Sequence, residues 1–183
     1  MLTKSQARPE LAGVFEIMLR PWSSMAELGE EFRRAGIDVG PRAWRIIQQI
    51  EMVRVPTLIQ AVIITPDELG LTLNGQPPRR RESDGQWEWM PSHPMMLQCL
   101  PDLGLLSSPP QAGVEFFFAK REHPPGEKVT VGMEPIEGNQ VGHFKEVLVM
   151  GREQHRQPRI TTDGAGANVL VGFDRKYLVQ VAP

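Results

Sequence analysis

Proline and glycine set the first limit on this chain. There are 17 of each, spread along the whole length rather than gathered in one tract. Proline removes a backbone donor and locks one torsion, so regular elements must stop where it falls. Three Pro-Pro pairs, Pro77–Pro78, Pro109–Pro110 and Pro124–Pro125, mark loops that are not strand interiors. Short apolar runs lie between these breakers, as in a β-rich fold with many turns. A disordered chain would lack those runs, yet 40% of the residues here are hydrophobic and the net charge is only −2. At 183 residues the expectation is one domain or two small ones.

The first 56 residues read as helical. Leu11, Val14, Phe15, Met18 and Leu19 recur at three and four, the spacing of one helix face. Pro21 stops that helix. Ser23 or Ser24 can cap a second helix, with Glu27 completing an approximate capping box and Gly36 ending it. Pro41 suits the first turn of a third helix, running to about Glu51, with Ala43, Trp44, Ile47 and Ile50 on its buried side. The period then changes. Met52–Pro56, Leu58–Ile64, Leu69–Leu73, Val114–Ala119, Lys128–Met133, Phe144–Met150, Asn168–Phe173 and Tyr177–Val181 read as extended. Gly172–Tyr177 reads as a hairpin joining the last two, and Met95–Leu100 as a helical turn. Residues 74–94 form an exposed excursion. The expected fold class is α+β: an N-terminal three-helix unit, winged-helix-like in element order, over 1–56, then an antiparallel β-rich domain over 57–183.

Several chemistries find no support. No run of about 18 apolar residues exists for a membrane span. The sequence MLTKSQARPE lacks the apolar core of a secretory signal, so a cytoplasmic protein is expected. The single cysteine, Cys99, forms no internal disulfide framework and reads as a small hydrophobe. His93, His123, His143 and His155 show no metal-ligand spacing, and neither HExxH nor CxxC occurs. The glycine-rich turn Gly164–Asn168 lacks the Gly-Lys-Ser/Thr and the helix of a phosphate-binding loop. No GxSxG is present. Asp102, Glu115 and Lys120 echo a metal-dependent nuclease, but the glutamate and lysine are five apart where two are needed. No catalytic, cofactor or metal residue is assigned.

One segment carries a resemblance. Glu27-Leu28, Phe32, Ala35-Gly36-Ile37, Val39 and Val53-Arg54-Val55-Pro56 lie in a helix, glycine turn, helix, strand order over residues 23–56. The segment resembles the winged helix-turn-helix of arginine-repressor-type regulators. The resemblance implies a recognition helix over 41–51, in which Arg42, Trp44, Arg45, Gln48 and Gln49 would face duplex DNA. The matching stretch, Gly40 to Arg45, lacks the threonine/serine-rich start of that family's helix and is one residue shorter. Residues 1–56 hold eight Arg or Lys against seven Asp or Glu, whereas DNA binding draws on a basic face.

A second surface is the basic run Arg79, Arg80 and Arg81 beside Trp87 and Trp89. Arginine and tryptophan are the side chains that most often anchor an interface. Three basic residues fall short of a basic tract, which favours a solvated hairpin tip with the tryptophans folded back onto the core over a nucleic-acid contact. The reading that follows is a non-enzymatic binding or adaptor subunit of a larger cytoplasmic assembly, with protein partners and no cofactor. The alternative is a DNA-binding regulator using helix 41–51. A hydrolase or nuclease site assembled from distant residues stands as a third.

Overall fold

The computed structural model describes residues 2–4, 13–73, 76, 79, 81, 83–86, 88–119, 126–138, 145–152, 157–166 and 169–183. In chain order the elements are β1 (Leu2–Lys4), β2 (Phe15–Leu19), α1 (Met25–Ala35), β3 (Asp38–Val39), α2 (Pro41–Ile47), β4 (Thr57–Ile64) and β5 (Leu71–Leu73). Then come α3 (His93–Cys99), a 3-10 turn (Pro101–Leu103), β6 (Leu105–Leu106), α4 (Pro110–Ala119), β7 (Lys128–Val131), β8 (Ile136–Glu137), β9 (Lys145–Arg152), β10 (Pro158–Gly164) and β11 (Lys176–Val181).

Nine strands form one sheet in the order β2-β4-β11-β7-β9-β10-β3, with β6 beside β11 and β8 beside β9. β1 and β5 pair separately. The sheet is mixed: β11 runs parallel to β7, and β10 parallel to β3, while the other pairs are antiparallel.

This corrects the expected α+β arrangement of a three-helix N-terminal unit followed by an antiparallel β domain. The first of the three helices is absent where the structure describes it: residues 15–19 are strand β2, paired along its length with β4. The run Phe15-Glu16-Ile17-Met18-Leu19 carries two periods at once. Its helical spacing is real, but Phe15, Ile17 and Leu19 also alternate, and Ile17 and Leu19 are the buried pair. Pairing with an eight-residue strand decided between the two. The other two helices form close to where the sequence places them. Ser24 Oγ accepts from the Glu27 amide, and Gly36 ends α1 in the left-handed conformation (φ 68°). α2 begins at Pro41 and closes at Ile47, four residues short of the expected end.

A second difference concerns residues 110–119. The expected strand Val114–Ala119 is helix α4, and every residue from Gln111 to Phe118 is buried. A short, continuously apolar run does not separate a buried strand from a buried helix by its period. Here the chain packs against β2, β7 and β9 and stacks Phe118 on Phe32 of α1, and within such a buried run a helix satisfies its own backbone. Strand β10 has no counterpart among the expected strands. Asn168–Phe173, expected as a strand, contributes only the bridge Ser92↔Leu170 among its described residues. The expected hairpin over 172–177 does not form either: β11 pairs with β4, β6 and β7.

Strand alternation divides the core into two layers. Ile59 and Ala61 of β4, Leu178 of β11, Val129 and Val131 of β7 and Met150 of β9 face α1, α2 and α4, packing with Leu28, Phe32, Ile46, Ile47 and Phe116–Phe118. Val62, Ile64, Tyr177 and Val179 face the opposite way, onto Leu69, Leu71, Met96, Leu100 and Phe173. That second cover does not reach the end of the sheet at β2. There Met18 and its cross-strand neighbour Leu58 are 48% and 52% exposed.

Candidate interaction groove at the edge of the sheet

The groove begins at β2, an outermost strand of the sheet. Residues Glu16, Ile17, Met18 and Arg20 form one wall, Glu31 of α1 and Glu115, Phe118 and Ala119 of α4 the other, enclosing a cleft of about 270 Å³. Ile17 points to the helices and Met18 away from them. A cleft that touches both must run along the strand's outer edge rather than over one face.

Its closed end is built by α4. Glu115 and Gln111 lie four apart, so both project from the same side of the helix. Glu115 Oε1 accepts from the Arg20 amide (3.2 Å) and from Trp22 Nε1 (2.9 Å), and its Oε2 accepts from Arg20 Nε (2.8 Å). Gln111 Nε2 donates to the Arg20 carbonyl at 2.6 Å, and its Oε1 accepts from the Val53 amide at 3.0 Å. Two side chains of a helix thus occupy the amide and carbonyl that a neighbouring strand would otherwise take. The Glu115 side chain is 3% exposed, and its charge is balanced by the Arg20 guanidinium. A buried carboxylate needs such company, because an uncompensated one is strongly destabilising. The guanidinium also lies 4.5 Å from the Trp22 ring centre and 5.1 Å from that of Phe118.

The expected DNA-facing residues of α2 are partly spent inside the protein. Trp44 meets Phe32 edge-on at 6.2 Å. Arg42 Nη1 stands 3.9 Å from the buried Glu146. Gln49 Nε2 donates to the carbonyls of Arg45 (3.0 Å) and Glu137 (3.3 Å). Arg42, Arg45, Gln48 and Gln49 are exposed, while Ala43, Ile46 and Ile47 are buried.

Of the second expected surface, Arg80 and Trp87 lie outside the described residues. Arg79 and Arg81 sit in a local turn closed by the bonds Arg81 N to Gln86 O (2.7 Å) and Glu88 N to Arg79 O (2.9 Å). The Arg81 guanidinium pairs with Asp84 at 3.0 Å and bonds Gln86 at 3.2 Å. Trp89 is half-buried and meets Phe173 edge-on at 4.8 Å, so its ring serves the second core layer.

His93 is buried under the opposite face of the sheet. Its Nε2 bonds the Met133 carbonyl at 2.9 Å, and its Nδ1 has no hydrogen-bond partner among the described residues. Burial holds its pKa below the usual histidine value, with the Met133 bond opposing; Arg175 lowers it further and Glu134 raises it. Nearby, Arg175 donates to Thr130 Oγ1 at 2.8 Å and pairs with Asp163. Among the described residues no three His, Cys, Asp or Glu side chains converge as metal ligands. No described helix is long and apolar enough to cross a membrane.

Arg20, Trp22, Gln111 and Glu115 were not singled out by sequence pattern as a group. The signal that could have found them is the i, i+4 pair Gln111/Glu115, visible only if residues 110–119 are read as a helix. No protein-family model, no curated protein and no solved structure matches this chain.

Proposed function

We propose that this protein is a non-enzymatic binding subunit of a cytoplasmic assembly, and that it receives an extended segment of a protein partner along the outer edge of β2. The observation that carries this reading is the cleft on that edge, lined by the exposed Met18, whose cross-strand neighbour Leu58 is exposed as well. An outermost strand offers a row of backbone groups to an incoming strand, and natural proteins usually blunt such edges. Among the described residues no strand lies beyond β2. In an extended chain alternate residues turn their amides the same way. In β2, paired on one side with β4, one alternate set of amides faces β4 and the other faces outward. Strand addition of this kind draws its affinity from main-chain bonds and its selectivity from alternate side chains.

Affinity capture from native extract, with and without nuclease, tests the reading. Partners should survive nuclease and should be lost when Met18→Lys is used as bait, while its melting temperature stays that of the parent chain. An exposed position tolerates that change within about 0.5 kcal/mol. Recovery of duplex DNA, lost on Arg42→Ala and Arg45→Ala but not on Met18→Lys, would transfer the function to α2.

A further inference from the structure

His93 is a buried titratable group that the groove does not use. It begins α3, a helix of seven residues whose preceding Ser92 makes no side-chain cap bond. A helix that short is held by what it packs on rather than by its own turns. Met96, and Leu100 just beyond the end of α3, join Val62, Ile64, Tyr177 and Val179 in the core layer away from α1, α2 and α4. His93 Nε2 ties α3 to the Met133 carbonyl, just past β7. The chain neighbours of those two residues, Pro94 and Glu134, line a cleft of about 570 Å³, together with Leu97, Gln98, Pro135 and Lys145. The tie therefore lies beside open space rather than inside continuous packing.

The imidazole itself is 1% exposed, and its Nδ1 has no hydrogen-bond partner among the described residues. A ring that donates from Nε2 to Met133 leaves Nδ1 as a bare acceptor. A proton added there makes a buried N–H without an acceptor, on a charged ring. The charged and titratable groups around it are Tyr177 of β11, Arg175 just before β11, Glu134 after β7 and Lys145 of β9 on the cleft. Arg175 is itself paired with Asp163. α3 adds only the thiol of Cys99, at its far end. Glu134 is exposed, so a charged ring gains a carboxylate by moving outward.

We propose that His93 is an acid-sensitive latch: proton uptake at Nδ1 frees α3 from the sheet as a unit and bares the apolar surface beneath it, while the core on the opposite face stays closed. The two core layers draw on different side chains, so lifting the cover of one does not uncover the other. Opening one element costs less than unfolding the whole molecule.

Hydrogen exchange of the full chain at pH 7.5 and pH 5.5 tests this, with each amide rate divided by its intrinsic rate at that pH. Amides of residues 96–100 should open more often than those of 29–35 in α1. Their opening should depend little on urea below the unfolding transition, because the surface exposed is small. It should rise by up to about tenfold at pH 5.5, the limit for one proton taken up by an imidazole whose unfolded pKa is about 6.5. In His93→Gln, whose side-chain amide can still donate to Met133, the rise should disappear. If that variant does not fold, the parent chain still decides: the His93 ring signals should titrate below the usual histidine value. Opening of 96–100 that matches that of 29–35 in size and urea dependence would mean that α3 leaves only with the whole fold, and would overturn the proposal. A rise that persists in His93→Gln, or a His93 ring that titrates at the usual value, would overturn it as well.

Discussion

Glu115 and His93 are both buried polar residues, and the protein treats them differently. Glu115 has a donor for each oxygen: Arg20 and Trp22 reach it from the chain segment after β2. His93 has one ring nitrogen bonded and one not. A charged imidazole there would carry a buried N–H with no acceptor, beside the ring of Tyr177 at 5.7 Å, with the Arg175 cation adding to the field and Glu134 opposing it. The folded protein therefore takes up a proton at His93 less readily than the unfolded chain does. Stability is full above the unfolded value of about 6.5 and is lost as pH falls from there toward the lowered folded value. The urea midpoint should fall between pH 7 and pH 5, and His93→Gln should flatten that slope. An unchanged slope in the variant would mean that His93 carries no part of the pH dependence. Burial likewise raises the Tyr177 hydroxyl pKa well above the usual tyrosine value, so that group stays neutral across this range.

At the scale of elements, α4 is the piece on which the groove depends. It packs against β2, β7 and β9 and supplies Gln111, Glu115 and Phe118. Gly113 sets how close it can come to the sheet. A Cβ at that position would run into Val131 Cγ2, and Val131 is fully buried and β-branched, so it has little room to turn away. Gly113→Ala gains helix propensity of about 1 kcal/mol. The overpacking is expected to cost more, about 1–3 kcal/mol. A lower melting temperature checks the sign; a higher one would mean that the helix can shift outward without loss. The displaced helix should also loosen Glu115 from Arg20, which the Trp22 indole N–H chemical shift would report.

At the scale of the molecule, strands from both ends of the chain share one sheet. β2 pairs with β4, β4 with β11, and β3 closes the far edge against β10. The helix-facing core joins Leu28, Phe32, Ile46 and Ile47 to Val129, Val131, Met150 and Leu178. Residues 57–183 expressed alone would leave the second group uncovered by α1 and α2. That fragment is expected to be aggregated or unfolded, and recovery of its stable fold on adding 1–56 in trans would show how the two parts depend on each other. A well-dispersed NMR spectrum from 57–183 alone would show that the sheet stands without β2 and β3.

What the sequence by itself determined is local. The Ser24 cap, the Gly36 stop and Pro41 at the start of α2 depend on the torsions and donors of a few neighbouring residues. β4, β7, β9 and β11 were legible because β-branched runs bounded by turns have one local preference. The tertiary structure decided the rest, wherever local preference was divided. Phe15–Leu19 satisfied both periods and became a strand because β4 stood ready to pair with it. Val114–Ala119 is apolar but for Glu115, so its period said nothing, and burial against β2, β7 and β9 made it helical. The candidate groove depends on both of those outcomes, since one wall is β2 and the other includes α4. Residues 20 and 115 are far apart in sequence. Neither carries a signal for the other until the fold encloses a carboxylate that has to find its donors.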